Sequence, residues 1–147
     1  MDLTGTYRFA APPADVWNLL NDPEALASCL PGCERLEPLG EDRFRAELTM
    51  SVAAISGHYT ATVTIRDKVP PHSYRLIVEG SGKAGFIKGE AGVRLVEDGG
   101  ATIVNVSGAG EVGGLIARVG QRLLGSVSKV MMDRFFAALQ EKVAKTL

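Results

Sequence analysis

The stretch Gly113–Val143, GGLIARVGQRLLGSVSKVMMDRFFAALQEKV, is the one segment long enough to be an uninterrupted helix, and strand-like sequence precedes it. At about 1.5 Å per residue such a helix runs roughly 45 Å, so it is expected to cross the whole domain. Ile116, Val119, Leu123, Val127, Val130, Met131, Phe135 and Leu139 recur at helical spacing, with Arg118, Arg122, Lys129 and Asp133 opposite. This predicts a core-facing amphipathic helix. Gly120 falls on the buried stripe, where glycine costs up to ~1 kcal/mol of helix stability relative to alanine and leaves room beneath the helix. That room reads either as close packing of helix on sheet or as a cavity wall. Arg134 shares the angle of Ile116 and would snorkel to the edge of the buried face.

Toward the N-terminus, Leu3 to Ala10 alternates as a strand until Pro12-Pro13. ADVWNLLND follows as a short helix burying Val16, Trp17 and Leu20, with Pro13 in its first turn. Asp22-Pro23 breaks that helix, and PEALASCL forms a second one, ended by Pro31-Gly32. From Cys33 the period changes to two. Turn-forming groups at Gly40-Glu41-Asp42, Val69-Pro70-Pro71 and Asp98-Gly99-Gly100 separate expected strands at 33–39, 43–53, 56–67, 73–80, 84–97 and 101–112. In the second of these, Phe44, Ala46, Leu48, Met50 and Val52 share one face; in the third, Tyr59, Ala61, Val63 and Ile65 do. The expected fold is α+β: a seven-stranded curved antiparallel sheet wrapped around a long C-terminal helix, with two short helices after strand one. A straight helix in a curved sheet diverges from it at one end, which favours an apolar cavity.

A chain of 147 residues with net charge −1 is one domain, residues 1–147, and needs no disulfide or metal to fold. No lysine or arginine cluster suggests nucleic acid. No leader-like N-terminus or apolar run of membrane-spanning length appears, so a cytoplasmic location is expected. Cys29 and Cys33 read as free thiols of a reducing compartment.

The motifs that resemble catalytic signatures lack their context. Gly80-Ser81-Gly82-Lys83-Ala84-Gly85 matches G-x-G-x-x-G, yet FIKGEAGVRLV continues as a strand with no βαβ unit. Its glycines point instead to a bend or a close approach of backbones. Ser126-Val127-Ser128-Lys129 matches S-x-x-K without the companion motifs of penicillin-recognising enzymes. Cys29, Cys33, His58 and His72 match no strong metal spacing, and no metal is expected. His58, Tyr59, Glu90, Asn105 and Glu111 are candidate acid–base groups, but they form no recognisable set, and no catalytic residue is assigned.

The segment AAPPADVWNLLNDPEALASCLPGCERLE resembles the opening of CoxG, the family of the G subunit of carbon monoxide dehydrogenase. GSGKAGFIKGEAGV (80–93) and GAGEVGGLIARVGQRLL (108–124) are similar to its glycine-rich strand and helix entry. The resemblance implies a START-like helix-grip domain, a fold used for lipids, sterols, polyketides and other hydrophobic small molecules. It implies an accessory role beside a carbon monoxide dehydrogenase-type molybdenum hydroxylase, linking it to the membrane or quinone pool, with peripheral contact at the inner face of the cell membrane.

The expectation that follows is a non-enzymatic carrier with no cofactor of its own, holding a quinone or lipid-like molecule. Its lining residues are expected to be Trp17, Leu26, Leu30, Met50, Tyr59, Phe86, Ile87, Ile116, Val119, Gly120, Leu123 and Val127, supplying shape and desolvation. Gly120→Leu is expected to fill the cavity. The alternatives are a cyclase, aromatase or hydrolase using His58, Tyr59 or Glu111, and an assembly partner with apolar surface near Gly113 to Ile116.

Overall fold

In the computed structural model, residues 1–51 and 55–146 are described, the last two of these by backbone alone. The elements are β1 (Asp2–Phe9), α1 (Pro13–Leu20), α2 (Pro23–Cys29), β2 (Cys33–Gly40), β3 (Arg43–Met50), β4 (Gly57–Val69), β5 (Ser73–Gly82), β6 (Gly85–Asp98), β7 (Ala101–Gly113), a 3-10 segment (Gly114–Val119) and α3 (Gln121–Thr146). The strands form one antiparallel sheet in the order β1-β7-β6-β5-β4-β3-β2. Val52, expected to extend the inward face of the second alternating run, lies outside the described residues, as does Ala53 at the end of that expected strand.

Local sequence sets the ends of the short helices. Pro13 opens α1, which buries Val16, Trp17 and Leu20. Asp22 caps α2 by accepting the Glu24 N–H at 3.1 Å, and the Leu30 N–H closes it on the Leu26 carbonyl. Gly32 then turns the chain into β2 with φ +75, and an added Cβ would stand 2.3 Å from the Thr49 carbonyl oxygen. Only glycine fits between that turn and β3.

Register puts one apolar row per strand on the concave face. Phe44, Ala46 and Leu48 of β3 lie opposite Val63, Ala61 and Tyr59 of β4. Val63 and Ile65 lie opposite Val78 and Leu76 of β5, and Val93 of β6 lies between Tyr74 and Val106. The period of two thus delivers a continuous apolar surface.

The C-terminal segment departs from the sequence expectation. A helix unbroken from Gly113 does not form: β7 runs to Gly113, the 3-10 segment follows, and Gly120 stops it with φ +94 before α3 starts. Glycine here is a break rather than a small residue inside a helix. Gly120 is exposed, and nothing lies within 4 Å of where its Cβ would be, so Gly120→Leu would fill no cavity. Leu124, Phe136, Leu139 and Val143 are buried, whereas Leu123 and Val130, expected on the stripe, are exposed.

The core is in two parts. The larger joins Phe9, Val16, Trp17, Leu20, Tyr74 and Val104 to Phe136, Leu139 and Val143 of α3. The smaller joins Ile55, Tyr59, Ile116 and Leu124 at the other end. Leu139 is fully buried in the larger part. Leu139→Ala is expected to lower unfolding free energy by about 2–5 kcal/mol, read as a shifted midpoint with unchanged slope in urea denaturation.

Candidate ligand-binding site

The backbone of α3 runs close to β1, α1, α2 and the 3-10 segment, and along no length of β3, β4, β5 or β6. The space between α3 and the middle of the sheet must therefore be filled by side chains or left open. Val63, Val78 and Ile87 stand on the concave face there, are half-buried, and belong to neither part of the described core. Leu26 and Leu30 of α2 are also half-buried and outside both parts. The space above these side chains, between α3 and the sheet, is the candidate gap, with the Val63–Val78 pair and Ile87 as its candidate floor; Ile87 Cγ2 lies 3.3 Å from where a Cβ on Gly80 would stand.

The expected lining residues divide among several places. Trp17 is in the larger core, edge-on to Tyr74 with ring centroids 5.3 Å apart. Tyr59 and Ile116 are buried in the smaller core, with Met50, Val119 and Val127 packed against it. Leu26, Leu30 and Ile87 are half-buried and belong to neither core part. Phe86, Gly120 and Leu123 are exposed. Alternation forbids Phe86 and Ile87 from sharing a face, and the Phe86 ring lies where a Cβ on Gly113 would stand. Val63 and Val78 are not among the expected lining residues, although the alternation Tyr59, Ala61, Val63, Ile65 already placed Val63 inward.

The polar groups tested for chemistry do not converge. The Tyr59 hydroxyl donates to the Ile55 carbonyl at 2.7 Å, closing the wall of the smaller core. His58 is exposed, 3.8 Å from Glu34, to which the Thr49 hydroxyl also donates. Glu90 pairs with Arg75 at 2.6 Å, and Asn105 accepts from the Thr6 hydroxyl at 3.0 Å. Glu111 is exposed on the solvent side of the sheet. Ser126 donates to the Arg122 carbonyl, and Lys129 pairs with Asp133, so the S-x-x-K residues point to different partners. Both cysteines are free thiols, and burial is the main influence pushing the Cys33 thiol up. Among the described residues, no three His, Cys, Asp or Glu side chains are placed to hold a metal ion, and no helix is long and apolar enough to cross a membrane. A depression of about 370 Å³ lies on the solvent side of β3–β5, lined by Arg43, Thr62, Thr64, Arg66, Ile77 and Glu79. It is polar and faces away from the gap.

The glycine-rich strand behaves as a close-approach element. A Cβ on Gly85, at φ +138, would stand 2.0 Å from the Gly113 carbonyl oxygen. The β5–β6 turn and the end of β7 thus meet backbone to backbone, and the Ile116 N–H donates to the Ala84 carbonyl at 2.8 Å.

A curved antiparallel sheet gripping one long helix, with two short helices after strand one, defines a START-like helix-grip protein. A START superfamily protein from Mycobacterium smegmatis has the same fold, with a TM-score of 0.81 and 14% identity over 99% of both chains. TTHA0849 from Thermus thermophilus gives 0.74 and 17% over 99% of each. A conserved protein from Geobacillus kaustophilus is more similar: 35% identical, TM-score 0.96, covering 99% of this chain and 97% of that one. The family model of CoxG, the G subunit of carbon monoxide dehydrogenase, matches residues 5–144, and the chain belongs to that family. No curated protein matches it.

All three tyrosines are held protonated by the fold. Burial pushes the Tyr74 and Tyr59 phenols up. For Tyr7, burial comes first and the Asp133 carboxylate, accepting its hydrogen at 2.6 Å, adds to it. Folded values above the ordinary value near 10 mean stabilisation that is complete below that pH and lost as pH rises through the raised values. At about pH 10 the ultraviolet tyrosinate signal of the native protein is expected to be smaller than that of the unfolded chain.

Proposed function

We propose that this chain is a non-catalytic carrier that holds a quinone or similar lipid-like molecule between its sheet and α3. It serves a carbon monoxide dehydrogenase-type molybdenum hydroxylase, linking that enzyme to the quinone pool. The observation that carries this reading is the divided core, with half-buried Val63, Val78 and Ile87 between its two parts. The family membership supports the enzyme partnership. Among the described residues, no two ionisable side chains converge on the gap, which favours carriage over catalysis. The energetics are adequate. Burying roughly 600 Å² of apolar surface over ligand and walls gains about 15 kcal/mol at ~25 cal/mol per Å²; losing about 7 to ordering leaves micromolar binding.

Native mass spectrometry of the freshly purified protein, followed by organic extraction, is expected to find a stoichiometric isoprenoid or to show uptake of an added short-chain quinone. Val78→Trp is expected to weaken that uptake at least about tenfold while the protein stays folded by circular dichroism, because the indole occupies the floor. An empty protein that takes up no quinone sinks the carrier reading, and full-affinity uptake by folded Val78→Trp sinks its location.

A further inference from the structure

The depression on the solvent side of the sheet lies behind the inward valines, and the carrier reading does not use it. Strand alternation puts Thr62 and Thr64 on the opposite face of β4 from Val63, and Ile77 and Glu79 on the opposite face of β5 from Val78. Register builds the depression in rows. Thr64 lies between Arg43 of β3 and Ile77 of β5, Thr62 lies between Arg45 and Glu79, and Arg66 lies opposite Arg75. Two short threonines thus stand among longer side chains, and the hollow of about 370 Å³ lies over them, bordered by Arg43, Arg66, Ile77 and Glu79.

Two nearby carboxylates are engaged elsewhere. Glu90 accepts from both Nε and Nη2 of Arg75, at 2.8 and 2.6 Å, and Asp42 meets Lys68 at 2.9 Å. Among the described residues, Arg43 and Arg66 have no carboxylate in ion-pair reach, and the Thr62 and Thr64 hydroxyls have no hydrogen-bond partner. Unpaired arginines occur elsewhere on this surface. What is particular here is that two of them face one hollow together with two free hydroxyls. A guanidinium presents parallel N–H groups that match a planar carboxylate, and the hydroxyls add further donors. Glu79, on the rim and without an ion pair although Lys88 lies opposite it, opposes a second negative charge on the ligand. A singly charged carboxylate therefore suits the lining better than a phosphate dianion. Ile77, half-buried in a row shared with Arg43, Thr64 and Glu90, offers an apolar seat for a short hydrocarbon chain.

We propose that this depression binds a small aliphatic carboxylic acid, its carboxylate held between Arg43 and Arg66 and its hydrocarbon chain over Ile77. The site shares no side chain with the candidate gap, so it stands or falls independently of the carrier reading.

The test is a nuclear magnetic resonance titration of the isotope-labelled chain with acetate, butyrate and inorganic phosphate, at constant pH and with ionic strength held constant by sodium chloride. Saturable shifts are expected in the Arg43 and Arg66 Nε–H signals and in the Thr62 and Thr64 amides. Butyrate is expected to bind more tightly than acetate, because its longer chain covers Ile77, and phosphate more weakly than either. Arg43→Ala/Arg66→Ala is expected to lower butyrate affinity at least about tenfold, and Glu79→Gln to raise affinity for phosphate more than for butyrate. These side chains are exposed, so both variants should keep the circular dichroism and urea midpoint of the wild type. Shifts that do not saturate and spread equally over Arg45, Arg94 and Arg118, or a folded double variant that binds butyrate like wild type, would overturn the proposal. Phosphate binding more tightly than butyrate would overturn the carboxylate assignment.

Discussion

Phe136 stacks on Tyr7 at 4.2 Å and meets Phe9 edge-on at 6.3 Å, and these ring contacts pin α3 against β1 at one border of the sheet. Around them the Tyr7 hydroxyl donates to Asp133, and Lys129 lies between the two, 3.1 Å from the carboxylate and 5.4 Å above the tyrosine ring. Gln140 adds a side-chain bond to the Arg8 carbonyl at 2.8 Å. Beyond that border α3 meets the middle strands through side chains at the two core parts: Phe136, Leu139 and Val143 share one with Ile65, Tyr74 and Val93, and Leu124 shares the other with Tyr59.

The two ends of the gap are built from different materials. At one, Trp17, Tyr74, Phe9 and Leu139 interlock, and Thr102, fully buried, spends its hydroxyl on the Ala11 carbonyl at 2.7 Å. Such an end is dense and satisfied. At the other, the closing element is a six-residue 3-10 segment that begins at Gly114, φ +77, and ends before Gly120, φ +94, held by buried Ile116, half-buried Val119 and the bond to Ala84. Few buried contacts mean low local stability, so an opening is expected at this end rather than at the aromatic one.

Most of the architecture could be read from the sequence because its signals are local. Pro13, Asp22 and Pro23 mark the short helices, and strict alternation in Arg43–Met50 and in His58–Ile65 fixes which side chains face inward. The C-terminal segment was harder for a physical reason. Ile116, Val119 and Leu123 fit a helical period, yet so do residues of a 3-10 segment followed by a helix of shifted phase, and Leu123-Leu124 offers two adjacent leucines between which periodicity does not choose. In the structure it is Leu124 that is buried, in an α3 that starts after the positive φ of Gly120. The site was half legible for a related reason. Inward direction can be read from alternation, which gave Met50 and would have separated Ile87 from Phe86, but whether an inward side chain is sealed depends on how far the helix stands off. That distance is set across the molecule by Tyr7 and Phe136, so Val63 and Val78 carried no local sign of being floor.

The most direct test of this account is a nuclear magnetic resonance experiment on methyl-labelled protein with a short-chain quinone. Intermolecular nuclear Overhauser effects from the quinone ring to the methyl groups of Val63, Val78 and Ile87, and none to Leu123, are the predicted result. Contacts confined to the exposed leucines, or a concave face whose methyl signals do not respond at saturating quinone, would contradict it.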